Sequence, residues 1–136
     1  MKHAFAEAFE EAWSKPTPEK LVALLHPDVL LLQPHLPPIR GRENALKEFR
    51  RLFKWLPGLH GAIERSSGND EILFIEWEMK LSFERDAASI RAIDRFRLDN
   101  GLGIEREVYF DQLVLIRTVL ARPHLWPGYI QYRFGS

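Results

Sequence analysis

Two residues of opposite charge stand where the surrounding pattern calls for apolar ones. Ile90, Ala92, Phe96 and Leu98 share one face of a predicted strand, and Asp94 interrupts that face. Asp99-Asn100-Gly101 is a strong hairpin signal. Beyond it Leu102, Ile104, Val108 and Phe110 share a face, and Arg106 interrupts that one. A three-residue loop at 99–101 opposes Asp94 to Arg106, Phe96 to Ile104, Ala92 to Val108 and Ile90 to Phe110. The other face then opposes Arg95 to Glu105. A two-residue loop opposes Arg95 to Arg106 and Asp94 to Glu107, and like charges across a ladder are unfavourable. The three-residue loop is therefore expected. An arginine beside a carboxylate favours the ionised form and lowers its pKa. Such a pair can orient a water or bind a polar group on a ligand. It can equally be a structural ion pair, because removing one buried partner costs about 3–5 kcal/mol. Asp94 and Arg106 are the candidate catalytic residues.

Around the pair, Trp77, Met79, Phe96, Val108 and Phe110, with Trp55, form a candidate apolar pocket. Apolar pockets with a few convergent polar groups are the usual small-molecule sites. Taken singly, each of these residues is also ordinary core. Other chemistry finds little support. His3, His26, His35, His60 and His124 are scattered, so no metal site and no cofactor are expected. His35 sits in a proline loop, either exposed or reaching a cavity mouth to shuttle protons. The chain has no cysteine, which excludes disulfides and thiolate chemistry. Ser66, Ser67 and Ser89 lack a nucleophile signature. Lys+Arg and Asp+Glu number 19 each, and zero net charge disfavours nucleic-acid binding. Arg50, Arg51 and Lys54, interrupted by Glu48, read as a solvated helix face. The apolar runs are too short to span a membrane and no signal segment is visible, so a cytoplasmic protein is expected.

The elements that would position these residues follow from periodicity. The 136 residues suit one domain, 1–136, with a core over about 5–116 and an aromatic, proline-rich tail over 117–136. Phe5, Phe9, Ala12 and Trp13 predict a helix over about 3–14, stopped by Pro16. Thr17-Pro18 opens a second helix near 18–26. Residues 28–33 read as a short buried strand, and three prolines keep 34–38 irregular. After Gly41, Ala45, Leu46, Phe49, Leu52, Phe53 and Leu56 mark a third helix; Glu48 is placed on its wet face. The period then becomes two. Strands are predicted at 59–65, after a turn at 66–70, and from Ile75 with Trp77, Met79, Leu81 and Phe83 inward. Two more surround the hairpin, the last running from Leu102 to about Ile116. Helices first and strands afterwards make an α+β fold, with helices packed on a curved antiparallel sheet around a conical cavity.

This order resembles the nuclear transport factor 2-like (cystatin-like) superfamily, which includes SnoaL-like polyketide cyclases, ketosteroid isomerase and limonene epoxide hydrolase. Ile93-Asp94-Arg95-Phe96-Arg97-Leu98, followed by Gly101, is similar to the isomerase strand that carries its oxyanion-hole aspartate. Leu36-Pro37-Pro38-Ile39-Arg40-Gly41-Arg42 resembles the epoxide hydrolase proline loop, and Tyr109-Phe110-Asp111 its last strand. The likeness places the oxyanion aspartate at Asp94, the isomerase base at Gln33 and its tyrosine at Phe9. The epoxide hydrolase aspartate–arginine–aspartate set falls near Met79, Trp77 and Val108. Gln33 thus becomes a candidate polar group of the pocket on the resemblance alone. The resemblance implies a small apolar ligand in the cone, with isomerisation, cyclisation or hydrolysis all open. It also implies a homodimer through the outer face of the sheet, where Ile93 and Tyr109 lie.

The alternative is a non-catalytic dimeric module with a filled cone. A cavity of about 300 Å³ or more with Asp94 exposed to it favours the ligand-binding reading. A cone plugged by Trp77, Trp55 and the tail favours the alternative. Leu125, Trp126, Tyr129, Ile130, Tyr132 and Phe134 are too apolar to float free, and are expected to cover an edge, close the cone or meet a second subunit.

Overall fold

The computed structural model describes residues 3–135, so Met1, Lys2 and Ser136 of the expected domain lie outside the described residues. The chain runs α1 (Ala4–Ser14), α2 (Pro18–Val22), β1 (Leu25–Leu32), β2 (Ile39–Arg40), α3 (Arg42–Trp55), β3 (His60–Gly68), β4 (Ile72–Ser82), β5 (Ala87–Asp99), β6 (Leu102–Phe110) and α4 (Gln112–Leu120). A 3-10 turn at Pro123–Leu125 leads into α5 (Trp126–Phe134). One six-stranded sheet has the order β2-β1-β6-β5-β4-β3. All pairings are antiparallel except β1 with β6, which is parallel. The architecture is the expected α+β cone, with helices on one side of a curved sheet.

Local signals set most boundaries. His3 Nδ1 accepts from the Phe5 N–H at 3.1 Å and caps α1. Thr17 Oγ1 accepts from the Lys20 N–H at 3.1 Å and caps α2. That helix stops at Val22, short of the expected residue 26, because Leu25 enters the sheet opposite Gly103. Tertiary pairing overrides local helix propensity there. Pro27 lies within β1, where the β1–β6 register is interrupted between Leu25 and Leu30. The strand after α3 also runs past its expected end, to Gly68, with a register shift between Ile63 and Arg65.

The β5–β6 hairpin corrects the expected register. Its loop has two residues, Asn100 and Gly101, at φ 52° and 79°, as a tight right-twisted hairpin requires. A bulge follows: Leu98 pairs with Gly103 but Arg97 pairs with Glu105, leaving Ile104 unopposed. Asp94 therefore faces Val108, and Arg106 faces Phe96. Neither bulge-free alternative was right. The extra residue restores the two-residue parity from Glu105 onward, so those side chains keep their expected face, whereas Leu102 pairs with Asp99 and Gly103 takes the inner position opposite Leu98. Charge explains the choice: Arg95 now donates to Glu105 and Glu107 at 3.1 and 2.9 Å. Gly103 permits the close approach, since a Cβ there would lie 2.9 Å from the Phe96 ring.

The expected strand to Ile116 ends at Phe110 instead. The Asp111 carboxylate accepts from the Leu113 N–H at 2.9 Å and starts α4. Leu113-Val114-Leu115-Ile116 looks strand-like, but the N-cap decides the outcome.

The core lies between α1 and the concave face of the sheet. Phe9 and Trp13 pack on Trp77 with ring centroids at 5.2 and 4.7 Å, and Phe5 packs on Phe96 at 4.7 Å. Gly61 makes room for the indole, because a Cβ there would sit 2.7 Å from Trp77 ring carbons. The convex face carries ion pairs such as Arg65–Glu76 and Arg91–Glu64. Among the described residues, no helix is long and apolar enough to cross a membrane.

Candidate functional site

Strand alternation carries Trp77, Asp94 and Arg106 to the concave face of three adjacent strands. Asp94 is fully buried. Its Oδ1 accepts from Trp77 Nε1 at 2.8 Å, and its Oδ2 accepts from Arg106 Nε at 2.6 Å. Both oxygens are thus occupied by donors. The expected lowering of the Asp94 pKa is reversed: loss of solvation pushes it up, against the opposing pull of Arg106 and the Trp77 N–H. The Arg106 guanidinium also lies over the Trp13 and Phe96 rings, 5.9 and 5.8 Å from their centroids.

Beyond this pair lies a cavity of about 60 Å³. Of the candidate residues, Gln33, Trp55, Trp77, Met79, Arg106, Val108 and Phe110 line it. Asp94 and Phe96 do not. Asp94 sits behind the wall, and Phe96 is packed beneath the Arg106 guanidinium. The carboxylate is therefore a positioning group for Arg106, and the guanidinium is the member of the pair that meets the cavity.

The sequence reading missed a second polar set at the cone mouth. Glu48, assigned to the wet face of α3, is 4% exposed, and neither of its carboxylate oxygens has a hydrogen-bond partner. Burial raises its pKa, while Tyr132, Arg51, Arg106 and Gln33 pull it down. The signal was available: Glu48 stands three residues after buried Ala45, on the same helical stripe. Tyr132 of α5 is the second missed residue. Its hydroxyl lies 2.9 Å from His35 Nε2, and its ring stacks on Trp55 at 5.1 Å. Arg51 donates to its backbone carbonyl. Burial, followed by the Glu48 charge, raises the Tyr132 pKa, so the phenol keeps its proton.

His35 is correspondingly drawn inward from its proline loop. Burial, aided by the Arg133 charge, lowers its pKa from 6.5 to about 4. Tyr132 and His35 Nε2 share a hydrogen bond, which leaves Nδ1 as the ring atom facing away from it. That buried Nδ1 has no partner, nor does the buried Gln33 Nε2. Both residues line the same cavity as Arg106. Orphaned buried polar atoms are rare in native proteins, and each calls for an occupant or a function. Among the described residues, no group of His, Asp or Glu has the geometry to hold a metal ion.

The SnoaL-like domain family matches residues 6–105, most of the chain. The chain belongs to the SnoaL-like domain family. Among curated proteins, none matches its sequence. Solved structures share the fold of this SnoaL-like domain at low identity. A protein of ketosteroid isomerase-like fold from Catenulispora acidiphila, solved with trimethylamine, is 15% identical, with a TM-score of 0.73 over 82% of this chain and 88% of that one. An NTF2-like protein of unknown function from Burkholderia pseudomallei is 18% identical, with a TM-score of 0.72 over 83% and 92%. An LEH-like epoxide hydrolase from M. tuberculosis is 22% identical, with a TM-score of 0.68 over 88% of this chain and 93% of that one. A family of this shape is consistent with small-molecule binding or catalysis in the cone.

Two measurements test this geometry. Asp94→Ala leaves a buried guanidinium unpaired and should cost about 3–5 kcal/mol in urea unfolding; a loss under about 1 kcal/mol would show that the pair contributes little. The second concerns pH. As pH falls from 6.5 toward about 4, the unfolded chain protonates His35 while the folded ring does not, so this residue withdraws stability across that window. Glu48 and Asp94, with raised pKa values, act in the opposite direction. The wild type should therefore lose stability relative to His35→Gln as the solution is acidified. A pH-independent difference between the two would contradict a buried neutral His35.

Proposed function

We propose that this SnoaL-like domain binds a small apolar molecule carrying one polar group, with Gln33, His35 and Arg106 around that group. The observation that supports this most is the pair of unpartnered buried nitrogens, Gln33 Nε2 and His35 Nδ1, in the wall of an otherwise apolar cavity. Asp94 serves by holding Arg106. The apolar walls supply affinity at roughly 25 cal/mol per Å² buried, and the polar atoms supply orientation.

The filled-cone alternative has its own support. The cavity, at about 60 Å³, is well below the size of small-molecule pockets, Asp94 is not exposed to it, and Tyr132 stacks on Trp55 at the mouth. Titration calorimetry with acetophenone separates the readings. The binding reading expects saturable heat, with affinity lowered about fivefold in Gln33→Leu, the worth of one neutral hydrogen bond. No heat in the wild type, with no shift in melting temperature, favours the filled module.

We also propose a homodimer through the convex face of the sheet. Ile93 and Tyr109 oppose each other there and are 41% and 46% exposed. Phe74 on the same sheet is exposed as well. Sedimentation at micromolar concentration should give a dimer mass that falls to monomer in Ile93→Arg. A monomeric wild type would refute the interface.

A further inference from the structure

The inner cavity has a neighbour. A groove of about 550 Å³ opens between the end of α3, the β4–β5 turn and the 3-10 turn before α5. Trp55, Leu56, Leu59 and Leu81 line both the groove and the inner cavity. These four side chains are the partition between them. Trp55 is the one of the four that is only partly buried; its Nε1 donates to the Leu125 carbonyl at 3.3 Å, near the limit for a hydrogen bond, and its ring stacks on Tyr132. The outer end of the groove carries Phe83 and His124, whose rings meet edge to face at 6.0 Å.

We propose that groove and cavity form one continuous site for an elongated apolar molecule ending in a neutral carbonyl, its head between Gln33 and His35 and its tail running past Trp55 into the groove. This rests on the reading above and names the ligand class it takes. The inner cavity alone is too small for a ligand of ordinary size, whereas the two spaces together fall within the range of about 300–1,000 Å³ of small-molecule sites. The head is neutral because no unpaired cation is among the residues that line the inner cavity. Arg106 is already paired with Asp94, and the His35 ring is uncharged at neutral pH. What remains is the unpartnered Gln33 amide nitrogen, which carries two N–H donors, with His35 beside it, and a carbonyl oxygen accepts hydrogen bonds without giving any. The tail is apolar because the shared partition offers only Leu and Trp side chains, and Pro57, Phe83 and Leu125 continue that surface into the groove beside Glu84, Arg85 and Asp86.

Titration calorimetry with straight-chain methyl ketones of increasing length tests this. Affinity should rise about twofold to fourfold per added methylene beyond the length the inner cavity holds, as methylene burial predicts. Ser82→Trp and His124→Trp, two independent ways to fill the groove from residues outside the inner cavity, should flatten that rise and leave the shortest ketone unaffected. Binding of short ketones without a length dependence in the wild type would overturn the joined site while leaving the cavity reading intact. No binding at any length would remove both. Tighter binding of the carboxylic acid of matching length would overturn the neutral head.

Discussion

The ion pair of Asp94 and Arg106 organises the interior of the cone. Taking two charges out of water costs several kcal/mol each, and the cost is offset only by close, well-aligned donors. Asp94 has such donors, from Arg106 on β6 and from Trp77 on β4. One carboxylate thereby ties together three strands. Once tied, Arg106 lies flat against Trp13 and Phe96 with its guanidinium in the cavity wall. The geometry depends in turn on the bulge at Ile104, which makes the pair diagonal rather than directly opposed.

Much of this was legible in the sequence. Apolar alternation on β4 and β5 identified the buried face, and the two charges interrupting it, expected as partners under the three-residue loop, are partners across the bulge. The register itself was not legible. Both loop alternatives assumed an unbroken ladder, and a bulge is set by contacts across strands, such as Phe96 on Gly103, that no local pattern records. The tail shows a different limit. Residues 102 to 116 read as one strand, yet the Asp111 carboxylate caps α4 and the strand ends at Phe110.

The cone mouth was the least legible region because its residues come from distant parts of the chain. His35 belongs to a proline loop, Glu48 to a helix that otherwise shows charge to solvent, and Tyr132 to the tail. Only the folding of α5 over α3 brings them together and removes their water. The consequence is electrostatic. Burial keeps His35 neutral and Tyr132 protonated, and it draws Glu48 toward the uncharged acid. The tail, expected to cover an edge, close the cone or meet a second subunit, packs Tyr132 against Trp55 and His35 at the cone mouth.

The central claim is that Gln33 keeps its amide donors, beside His35, for an oxygen on an apolar guest. The infrared stretch of a carbonyl bound to the protein reads this most directly. The account predicts a bound methyl ketone absorbing at lower frequency than in hydrocarbon solvent, moving back toward the hydrocarbon value in Gln33→Leu. A bound ketone whose stretch matches hydrocarbon solvent in the wild type would contradict it.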